Sequence, residues 1–593
     1  MLEKIISLII ALITLLTSLF VSPEVALRES ENHIEESPVE NVMRTAEKFE
    51  GAPGVEFYIE SPESAKLKAV NAAEFGMSEA AADNFEALQK AFDYCAANPG
   101  TKLVIDRGTY YFNTDRALEL KACENILVDG SGARFVFAYT GTKISLTGCD
   151  CVEFKNLNID WAHESDPIAS AVKITAADKK AHTLDLEFIL GTADVELNLA
   201  AMTQCDAETL TFGAKGGSKE CYLYQIEGAV QSVEKISENT LRVTHNGCMD
   251  NFSAGESYIL RHHVYDGTVF GLAGYSKNLT FDGVNIYGST GMAFVVNGNA
   301  SHFIIKNCYI GVEPGCENKR CVSLGADAIH IVNSDGCFVL QGCDISGMGD
   351  DALNVHDGLG YIESASGSKM NVIASAMRLQ PGDVLKFKNP EFFDINYSAK
   401  IVSVKSLGGI KSEIEIEGTL PPAIGEGYII YNTACSSANY IIRDNYFHEN
   451  RARGLLLQSP NGLCENNRFY KIEGQAIKIV MDIMPALWQE GTGVDNLVIK
   501  NNTFTLCNYS CWGEIITIGG NIDGGTVKAQ AFTNITIKGN TFEDISTRIM
   551  YADNVNGLDY GGNTVIKGST FPGSLNKGKI ETGSYCANVN IDK

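Results

Sequence analysis

Three acidic residues, Asp327, Asp350 and Asp351, are the first candidates for chemistry in this chain. Asp327 opens the segment Asp-Ala-Ile-His-Ile, and Asp351 opens the similar segment Asp-Ala-Leu-Asn-Val 24 residues later. If that interval is one coil of a solenoid of parallel strands, the two aspartates stand on neighbouring coils roughly 4.8 Å apart. Asp350 is then a third carboxylate beside them. Because like charges repel, folding alone does not favour this arrangement, and it indicates a catalytic centre.

Clustered carboxylates have three possible roles. In glycoside hydrolysis one acid, whose pKa is raised by its neighbours, protonates the leaving oxygen while the others activate water. In a calcium site the same oxygens bind a hard cation. Aspartates also cap turns, which explains a single residue but not a stack on two coils. Hydrolysis without a metal ion or an organic cofactor is our hypothesis.

A loose nine-residue repeat places these aspartates in a fold. It alternates apolar residues and has Asn, Gly or Cys near its middle, and it begins at Asn125, Cys151, Asn278, His302, Cys337, Asn439, Asn461, Asn496 and Asn534. The shorter intervals, 22 to 26 residues, fit a coil of three strands, and intervals of 35 to 38 fit a coil with a longer loop. A period of this size is typical of a solenoid. We predict an all-β fold, a right-handed parallel β-helix.

The period breaks twice, and each break exceeds 100 residues. Residues 163–267 and 358–431 show hairpin-like alternation instead. We predict that they form two inserted β-rich or barrel modules that wall the pocket. The solenoid then comprises an N-terminal cap with the first coils (63–162), the coils that hold the aspartates (268–357) and the C-terminal coils (432–593).

The open first coil of a β-helix needs a cover, because an exposed sheet edge pairs with other chains. The segment Ser78–Ala97 has apolar residues at helical spacing, namely Phe85, Leu88, Ala91, Phe92 and Cys95. Ser78 is a suitable N-cap, and Asn98-Pro-Gly follows as a stop signal. This segment is the predicted capping helix.

The N-terminal residues predict export. Lys4 is followed by the apolar run 5–21, so residues 1–27 are expected to be a signal peptide or an N-terminal anchor. Residues 28–62 are rich in acidic residues and predict a linker. The expected location is extracellular, periplasmic or at the cell surface, with residues 5–21 as a possible membrane tether.

Composition narrows the range of partners. The chain has 73 acidic and 47 basic residues, a formal net charge of −26. Such a surface repels nucleic acid, so a neutral partner is expected, and no specific protein partner is predicted. The 17 cysteines are scattered without zinc-type spacing. Cys151, Cys308, Cys337 and Cys343 lie within repeat strands and are expected to be buried thiols; no disulfide is assigned.

A second apolar strand can be aligned within each coil, and it defines two rows of residues. Asp327, Asp351 and Arg453 precede that strand and form the first row. Three positions later follows a row that alternation directs away from the coil interior, made of His330, Asn354, Leu456 and Lys478. Alternation would send one of two adjacent aspartates inward, so the chain should bend at Gly349, where glycine lowers the cost.

These segments resemble glycoside hydrolase family 110. The resemblance is carried by ADAIHIVNSDG and GMGDDALNVHDG around the aspartates, by LRHHVYDG before them, and by NRARGLLLQSPNG, AIKIVMD and WQEGTG after them. It runs from about Phe57 to Lys567. A departure is Asp357, which follows His356 where the family more often has His-Gly. The N-terminal segment and the many cysteines are not family signatures.

The resemblance implies a bacterial exo-α-1,3-galactosidase on a β-helix with inserted barrels, acting on blood-group-B-like and linear α-galactosyl glycans. It implies inversion, with Asp350 as the general acid and with Asp327 and Asp351 jointly deprotonating water. Inversion is expected to need the acid and base roughly 6.5–9.5 Å apart, so that water fits between them.

Further residues are candidates for substrate binding. His330, Asn354 and His356 flank the acids and are expected to bond sugar hydroxyls, although a histidine in such a place is as often structural. Arg453 either keeps the carboxylates ionised or forms a simple salt bridge, and Lys478 on the same face is a candidate for a hydroxyl. Trp488, placed in a loop, either stacks on galactose or packs in the core. A weaker group at the predicted rim is Arg261, His262 and His263.

Two other functions remain open. One is a polygalacturonase-like or other α-glycoside hydrolase on the same scaffold; a uronic acid pocket needs a cluster of cations, and near the acids the sequence offers Arg453 and Lys478. The other is a carbohydrate-binding solenoid without catalysis.

Overall fold

The repeats fold as coils of a parallel β-helix in a computed structural model that describes residues 43–573 and 577–592. The all-β solenoid predicted from the period is therefore confirmed. One long parallel sheet takes a strand from each coil, in the order Leu118–Lys121, Gly141–Thr147, Gly267–Ala273, Met292–Val296, Ile329–Val332, Leu353–His356, Leu455–Leu457, Ile477–Met484, Ile516–Ile522, Met550–Ala552 and Ile580–Thr582.

The nine-residue repeat folds as two strands that meet at a corner. The strands before the corner are Lys68–Asn71, Thr101–Val104, Ser301–Lys306, Gly336–Gln341, Tyr440–Arg443, Gly462–Glu465, Val494–Lys500, Phe532–Lys538, Val555–Gly561 and Ala587–Ile591. The strands after it are Thr109–Phe112, Tyr309–Ile310, Asp344–Ser346, Tyr446–His448, Arg468–Tyr470, Thr503–Thr505, Thr541–Glu543 and Thr564–Ile566. Continuous strands span both parts at Glu124–Phe137, Asp150–Trp161 and Lys277–Ile286.

A ladder of buried asparagines explains the Asn in the middle of the repeat. Asn467 Nδ2 donates to Asn502 Oδ1 at 3.0 Å, and Asn502 Nδ2 donates to Asn540 Oδ1 at 3.0 Å. The residue before each ladder position has a left-handed backbone, as at Asn501 (φ 57°) and Gly539 (φ 69°), where Asn and Gly are the favoured types. The corner thus satisfies buried polar groups that would otherwise destabilise the solenoid.

The interior of the coils is a continuous apolar core. Inward residues such as Ile329, Leu353 and Leu455 are buried. Phe447, Phe469, Phe504 and Phe542 stack on successive coils with ring centroids 4.8–5.2 Å apart. Every coil therefore packs on the one before it, which fixes the register of the strands.

The capping helix is shorter than predicted, Phe85–Ala97 instead of Ser78–Ala97. Residues 78–84 form turns because the Asn84 side chain accepts the backbone N–H of Ser78 at 2.8 Å and the Asp83 side chain accepts that of Phe85 at 2.9 Å. The five predicted apolar residues are all buried, and the helix packs on the strands of the first coils. Within the described residues, three short 3₁₀ helices are Ser64–Lys66, Ala72–Phe75 and Leu223–Gln225.

The prediction of a linker is wrong for residues 44–62, which form a hairpin of the antiparallel strands Arg44–Glu50 and Glu56–Pro62. Phe49, Phe57 and Ile59 alternate with its acidic residues and are buried against the outer face of the solenoid. This alternation, not the mean acidity, determines the structure. Residues 1–42, which include the predicted signal or anchor and the rest of the linker, lie outside the described residues.

The two breaks in the period contain antiparallel β structure. The first has a seven-stranded sheet, in the order Glu220–Cys221, Ala201–Gln204, Ser257–Arg261, Ala169–Asp178, Thr183–Leu190, Thr240–His245 and Val230–Ser237. The second closes as a six-stranded barrel, in the order Leu359–Ser366, Lys369–Ile373, Lys411–Ile416, Asp394–Gly408, Val384–Lys388 and Ile429–Asn432. We call the first the inserted sheet.

All 17 cysteines lie within the described part of the chain and are free thiols. Cys151, Cys308, Cys337 and Cys343 are buried, as predicted. Across residues 43–573 and 577–592, helices with the length and apolarity of a membrane span are not found.

Candidate active site

The strand register places the predicted rows side by side. Ile329 pairs with Leu353, and Leu353 pairs with Leu455, so the residues two positions earlier, Asp327, Asp351 and Arg453, are stacked on successive coils. The second row is in register as well, with the pairs His330–Asn354, Asn354–Leu456 and Leu456–Lys478. Both rows were predicted from the sequence.

Close packing of the coils requires two glycines beside the aspartates. A Cβ at Gly349 would lie 2.7 Å from the Gly325 carbonyl oxygen, and one at Gly325 would lie 2.3 Å from that of Thr290. The chain bends at residues 349 and 350 as predicted. Neither glycine has a positive φ. Close approach of neighbouring coils, and not a left-handed backbone, therefore requires glycine here.

The three carboxylates form one cluster. An oxygen of each of Asp327, Asp350 and Asp351 lies within 4.8 Å of the others. The wider separation expected for inversion is therefore not observed between these atoms. Asp327 and Asp351 are buried, whereas the side chain of Asp350 retains 14% exposure. Asp350 is thus the most exposed of the three carboxylates.

Asp351 is paired with Arg453. The Arg453 backbone N–H donates to Asp351 Oδ1 at 2.9 Å, and its guanidinium Nη2 lies 2.9 Å from Oδ2. Burial raises the pKa of Asp351 well above its usual value, with Arg453 opposing the rise. Arg453 therefore contacts a carboxylate, as expected.

Asp350 is held through both of its oxygens. The Tyr265 hydroxyl donates to Oδ2 at 2.5 Å, and Arg451 Nη1 lies 2.9 Å from Oδ1. Burial and then the Asp327 carboxylate raise the pKa of Asp350 to about 6, against the opposing effects of Arg453, the Tyr265 hydrogen bond and Arg261. A carboxyl group with this pKa can carry a proton in mildly acidic solution.

Asp327 begins a chain of ionisable groups. His330 Nδ1 lies 2.8 Å from Asp327 Oδ2, His330 Nε2 lies 3.0 Å from His356 Nε2, and His356 Nε2 lies 3.7 Å from Glu490 Oε1. Burial lowers the pKa of His356 to about 4. Burial also acts to lower the pKa of His330, but the hydrogen bond and the charge of Asp327 oppose burial, and the net result is a raised pKa. A single proton fits between the two Nε2 atoms, so the pair carries at most one positive charge.

The predicted role of His356 in substrate binding is not supported, because its ring is fully buried and its Nε2 bonds His330. Asn354 is also buried, and its Oδ1 accepts the Gln458 amide at 3.3 Å. Lys478 Nζ lies 3.6 Å from Asp482 Oδ2, and burial lowers the pKa of this lysine. Asn354 and Lys478 thus each have a protein partner, and their contacts with a sugar stay predictions.

Trp488 lies in the strand Trp488–Glu490 and not in a loop. That strand pairs antiparallel with Ile477–Met484. Its last residue, Glu490, has its Oε1 3.7 Å from His356 Nε2. The indole is 41% exposed, which argues against core packing. The ring is accessible to a ligand, but Trp488 pairs with Met484, nine residues along the chain from Gln475, the position that aligns with the row of Asp327, Asp351 and Arg453.

The predicted rim residues lie at the junction with the inserted sheet. Arg261 and His262 are buried and so do not form an open rim. Arg261 Nη1 donates to the carbonyl oxygen of Gly349 at 2.7 Å, while its Nε and Nη2 lack partners among the described residues. His263 lies 2.8 Å from Asp166 and 3.0 Å from Asp266, and these carboxylates, against the effect of burial, raise its pKa to about 9.

Four residues of the site were missed in the sequence. Tyr265 lies in the segment LRHHVYDG, Arg451 lies two residues before Arg453, and Glu490 lies two residues after Trp488. Each stands beside a residue that the patterns did single out, so extending those motifs would have found them. Glu220 contacts Arg451 from the inserted sheet and has no sequence signal.

Two clusters in the described residues have metal-ligand atoms close together, the three aspartates and the group of His182, His245 and Asp250. Calcium requires about six to eight oxygen ligands, and the charge of the aspartates is already met by arginine and histidine. In the second cluster His245 Nδ1 accepts the Gly247 N–H at 3.0 Å, so Nε2 of the neutral ring carries the proton and faces Asp250. We therefore assign no metal ligands.

Comparisons with known proteins agree with the fold. Residues 423–571 match the family model for the right-handed beta helix region, which confirms the predicted handedness. The chain is 24% identical to alpha-1,3-galactosidase B of Bacteroides thetaiotaomicron over 86% of this chain and 87% of that protein. It is 25% identical to alpha-1,3-galactosidase A of Shewanella woodyi over 85% of this chain and 87% of that protein.

Among solved structures, the A-module of a mannuronan C-5 epimerase from Azotobacter vinelandii overlaps with a TM-score of 0.40 at 12% identity. The overlap covers 87% of this chain and 98% of that one.

Proposed function

We propose that this protein is a glycoside hydrolase that releases terminal α-1,3-linked galactose from glycans. The observation that carries the proposal is the meeting of Asp327, Asp350 and Asp351 on stacked coils, within 4.8 Å of one another. Similarity to proteins named alpha-1,3-galactosidase over most of the chain supports the choice of substrate. Blood-group-B-like and linear α-galactosyl glycans are the proposed natural targets.

Asp350 is the proposed general acid. Its pKa of about 6 and its partial exposure suit a group that protonates the leaving oxygen. Asp327 and Asp351 are the proposed bases for the attacking water. Each of their oxygens already accepts one hydrogen bond or ion pair, and a carboxylate oxygen can accept a further hydrogen from water.

Inversion of configuration is part of the proposal. The short distance between the carboxylate oxygens falls closer to the roughly 5–5.5 Å typical of retaining enzymes. Inversion is proposed because the chain resembles glycoside hydrolase family 110, for which inversion is the expected outcome, and the first anomer released decides between the two courses.

A neutral sugar fits the charges of the site better than a uronic acid. Arg451 pairs with Asp350 and Glu220, Arg453 pairs with Asp351, and Lys478 lies near Asp482. A substrate carboxylate would need an accessible cation whose charge is not already matched by the protein. Arg261 has no ion pair among the described residues, but its side chain is buried. The same argument speaks against a polygalacturonase-like activity.

The test is incubation with galactosyl-α-1,3-galactose, with NMR detection of the first anomer released. β-Galactose as the first product supports inversion, and α-galactose refutes it. Tight binding without release of galactose would indicate a carbohydrate-binding solenoid, and hydrolysis of galacturonides alone would refute the substrate class. A branched, fucosylated blood-group-B oligosaccharide in the same assay reports on whether the inserted modules admit a branch.

Asp350→Asn is expected to lower turnover of the disaccharide by roughly 10²–10⁴-fold, the contribution of a general acid. Asp185→Asn is the matched control, because Asp185 is a buried carboxylate paired with an arginine, Arg242, in the inserted sheet. Circular dichroism checks that both variants fold. Full activity of Asp350→Asn would remove Asp350 from the mechanism.

Export is proposed from residues 1–27, and fractionation of the producing cells with detection of the chain tests it. Activity confined to the cytoplasm would contradict export.

A further inference from the structure

The acid is held by residues that the solenoid repeat does not supply. Tyr265, whose hydroxyl donates to Asp350 Oδ2 at 2.5 Å, follows the last strand of the inserted sheet by four residues. Its backbone is left-handed, with φ 59°, a conformation that is strained for a bulky aromatic residue. The hydroxyl that contacts the acid therefore comes from a residue in an uncommon backbone conformation.

The second oxygen of the acid is held by a bridge from the inserted sheet. Arg451 Nη1 lies 2.9 Å from Asp350 Oδ1, and Arg451 Nε donates to Glu220 Oε1 at 2.9 Å. Glu220 is the first residue of the edge strand Glu220–Cys221. The Tyr222 hydroxyl donates to Glu220 Oε2 at 2.8 Å and contacts Arg451. Glu220 therefore fixes the direction in which Arg451 presents its charge.

The contacts of Arg451 and Tyr265 differ in whether the Asp350 oxygen that they hold can carry a proton. A guanidinium only donates hydrogen bonds, so an oxygen that faces Arg451 stays deprotonated. The Tyr265 hydroxyl donates to one lone pair of Oδ2 and brings no positive charge, so this oxygen can carry the proton on its other lone pair. We propose that Tyr265 and the Glu220–Arg451 pair are positioning residues that place the acid's proton on Oδ2 of Asp350. This inference rests on the proposed hydrolysis and on Asp350 as its acid.

In the resulting step, the Oδ2–H bond breaks as an O–H bond forms on the leaving sugar, and the C1–O electron pair stays with that oxygen. Water forms the new bond to C1 and gives its proton to Asp327 or Asp351. Asp350 is left as a carboxylate, and Arg451 offsets its charge. The proton is regained from solvent before the next turnover.

Charged and titratable groups from every neighbouring element face Asp350. The coils contribute Asp327, Asp351, His330, Arg451 and Arg453, and the inserted sheet and its junction contribute Tyr224, Arg261 and Tyr265. Glu473 lies behind the Glu220–Arg451 pair, and burial and then Glu220 raise its pKa to about 8. Glu473 therefore favours its neutral form, and Glu220 is the carboxylate that contacts Arg451 directly.

Two substitutions should move the pH dependence in opposite directions. Tyr265→Phe removes a hydrogen-bond donor that favours the carboxylate form of Asp350, so the pH at which kcat/KM falls should rise by about half a unit or more. Glu220→Gln removes the negative charge that offsets Arg451, so the pH at which kcat/KM falls should decrease. Tyr265→Phe should also lower kcat on galactosyl-α-1,3-galactose roughly tenfold to a hundredfold, because it deletes a hydrogen bond to the reacting group.

A substrate whose leaving group needs little protonation distinguishes a loss of acid positioning from damage to the fold. α-Galactosyl fluoride departs as fluoride and needs little protonation, so both variants should hydrolyse it within about threefold of wild type. Tyr258→Phe and Glu256→Gln are matched controls, because the Tyr258 hydroxyl donates to Glu256 at 2.7 Å elsewhere in the inserted sheet. Neither control should change the pH profile or the ratio of the two rates.

Equal losses on the disaccharide and the fluoride, or shifts of the pH profile in the same direction, would overturn the inference. If wild type hydrolyses neither substrate, the proposed function itself fails. A wild type active on both, with Tyr265→Phe and Glu220→Gln indistinguishable from it, would overturn this inference alone.

Discussion

At Asp350, burial and the Asp327 carboxylate raise the pKa to about 6, and a general acid must carry its proton when the turnover begins. The protonated fraction falls as the pH rises through that value. We therefore expect kcat/KM for galactosyl-α-1,3-galactose to decline above about pH 6, roughly tenfold per pH unit. Initial rates from pH 4 to 8 measure it, and a rate that rises through pH 6 would contradict the assignment.

Arg453 is the cation that opposes the burial-driven rise in the pKa of Asp351. Arg453→Met leaves that group buried without its partner, and breaking such a pair costs roughly 3–5 kcal/mol. Because the pKa of Asp351 is already raised and rises further without the arginine, protonation relieves the cost at low pH. Stability of the variant should therefore fall as the pH rises. Urea unfolding at pH 5 and pH 8 tests this, and an equal loss at both would contradict it.

At the scale of the element, the asparagine ladder replaces hydrogen bonds that water would otherwise make. Asn502 donates to Asn540 and to the Cys464 carbonyl, and it accepts from Asn467. Asn502→Ala leaves several of these buried groups unpaired, which should cost roughly 2–4 kcal/mol. Denaturant unfolding measures the loss. Asn590→Ala, at an exposed asparagine that bonds Asp559, should change stability little, and equal effects would contradict the role of burial.

The solenoid and the row of Asp327, Asp351 and Arg453 could be predicted because both follow from a local period: the residues at each step recur at a fixed interval. The hairpin at 44–62 was missed because mean acidity concealed the alternation of Phe49, Phe57 and Ile59 with charged residues. Glu220 and Tyr265 could not be placed, since their contacts with the acid depend on how a non-repeating sheet returns to the coil. Long-range packing of that kind leaves no period in the sequence.

At the scale of the molecule, the net charge of −26 bears on which ligands approach. A neutral glycan has no charge for this field to steer, whereas a polyanionic chain would be repelled at low ionic strength. We expect kcat/KM for the neutral disaccharide to change less than about twofold between low and high salt. Rates at about 20 mM and about 500 mM sodium chloride check this. A steep salt dependence would indicate a charged substrate.

The hairpin of residues 44–62 runs across many coils and not along one. Arg44 pairs with Glu124 and Asp150 near the start of the stack, and Asn496 Nδ2 near its end donates to the carbonyl oxygen of Pro53 at 3.1 Å. Repeat proteins whose units touch nearest neighbours alone can fray from either end. Because the hairpin contacts coils far apart in the stack, these coils should unfold together, and heating should give one sharp transition. Proteolytic cleavage of the hairpin should broaden that transition.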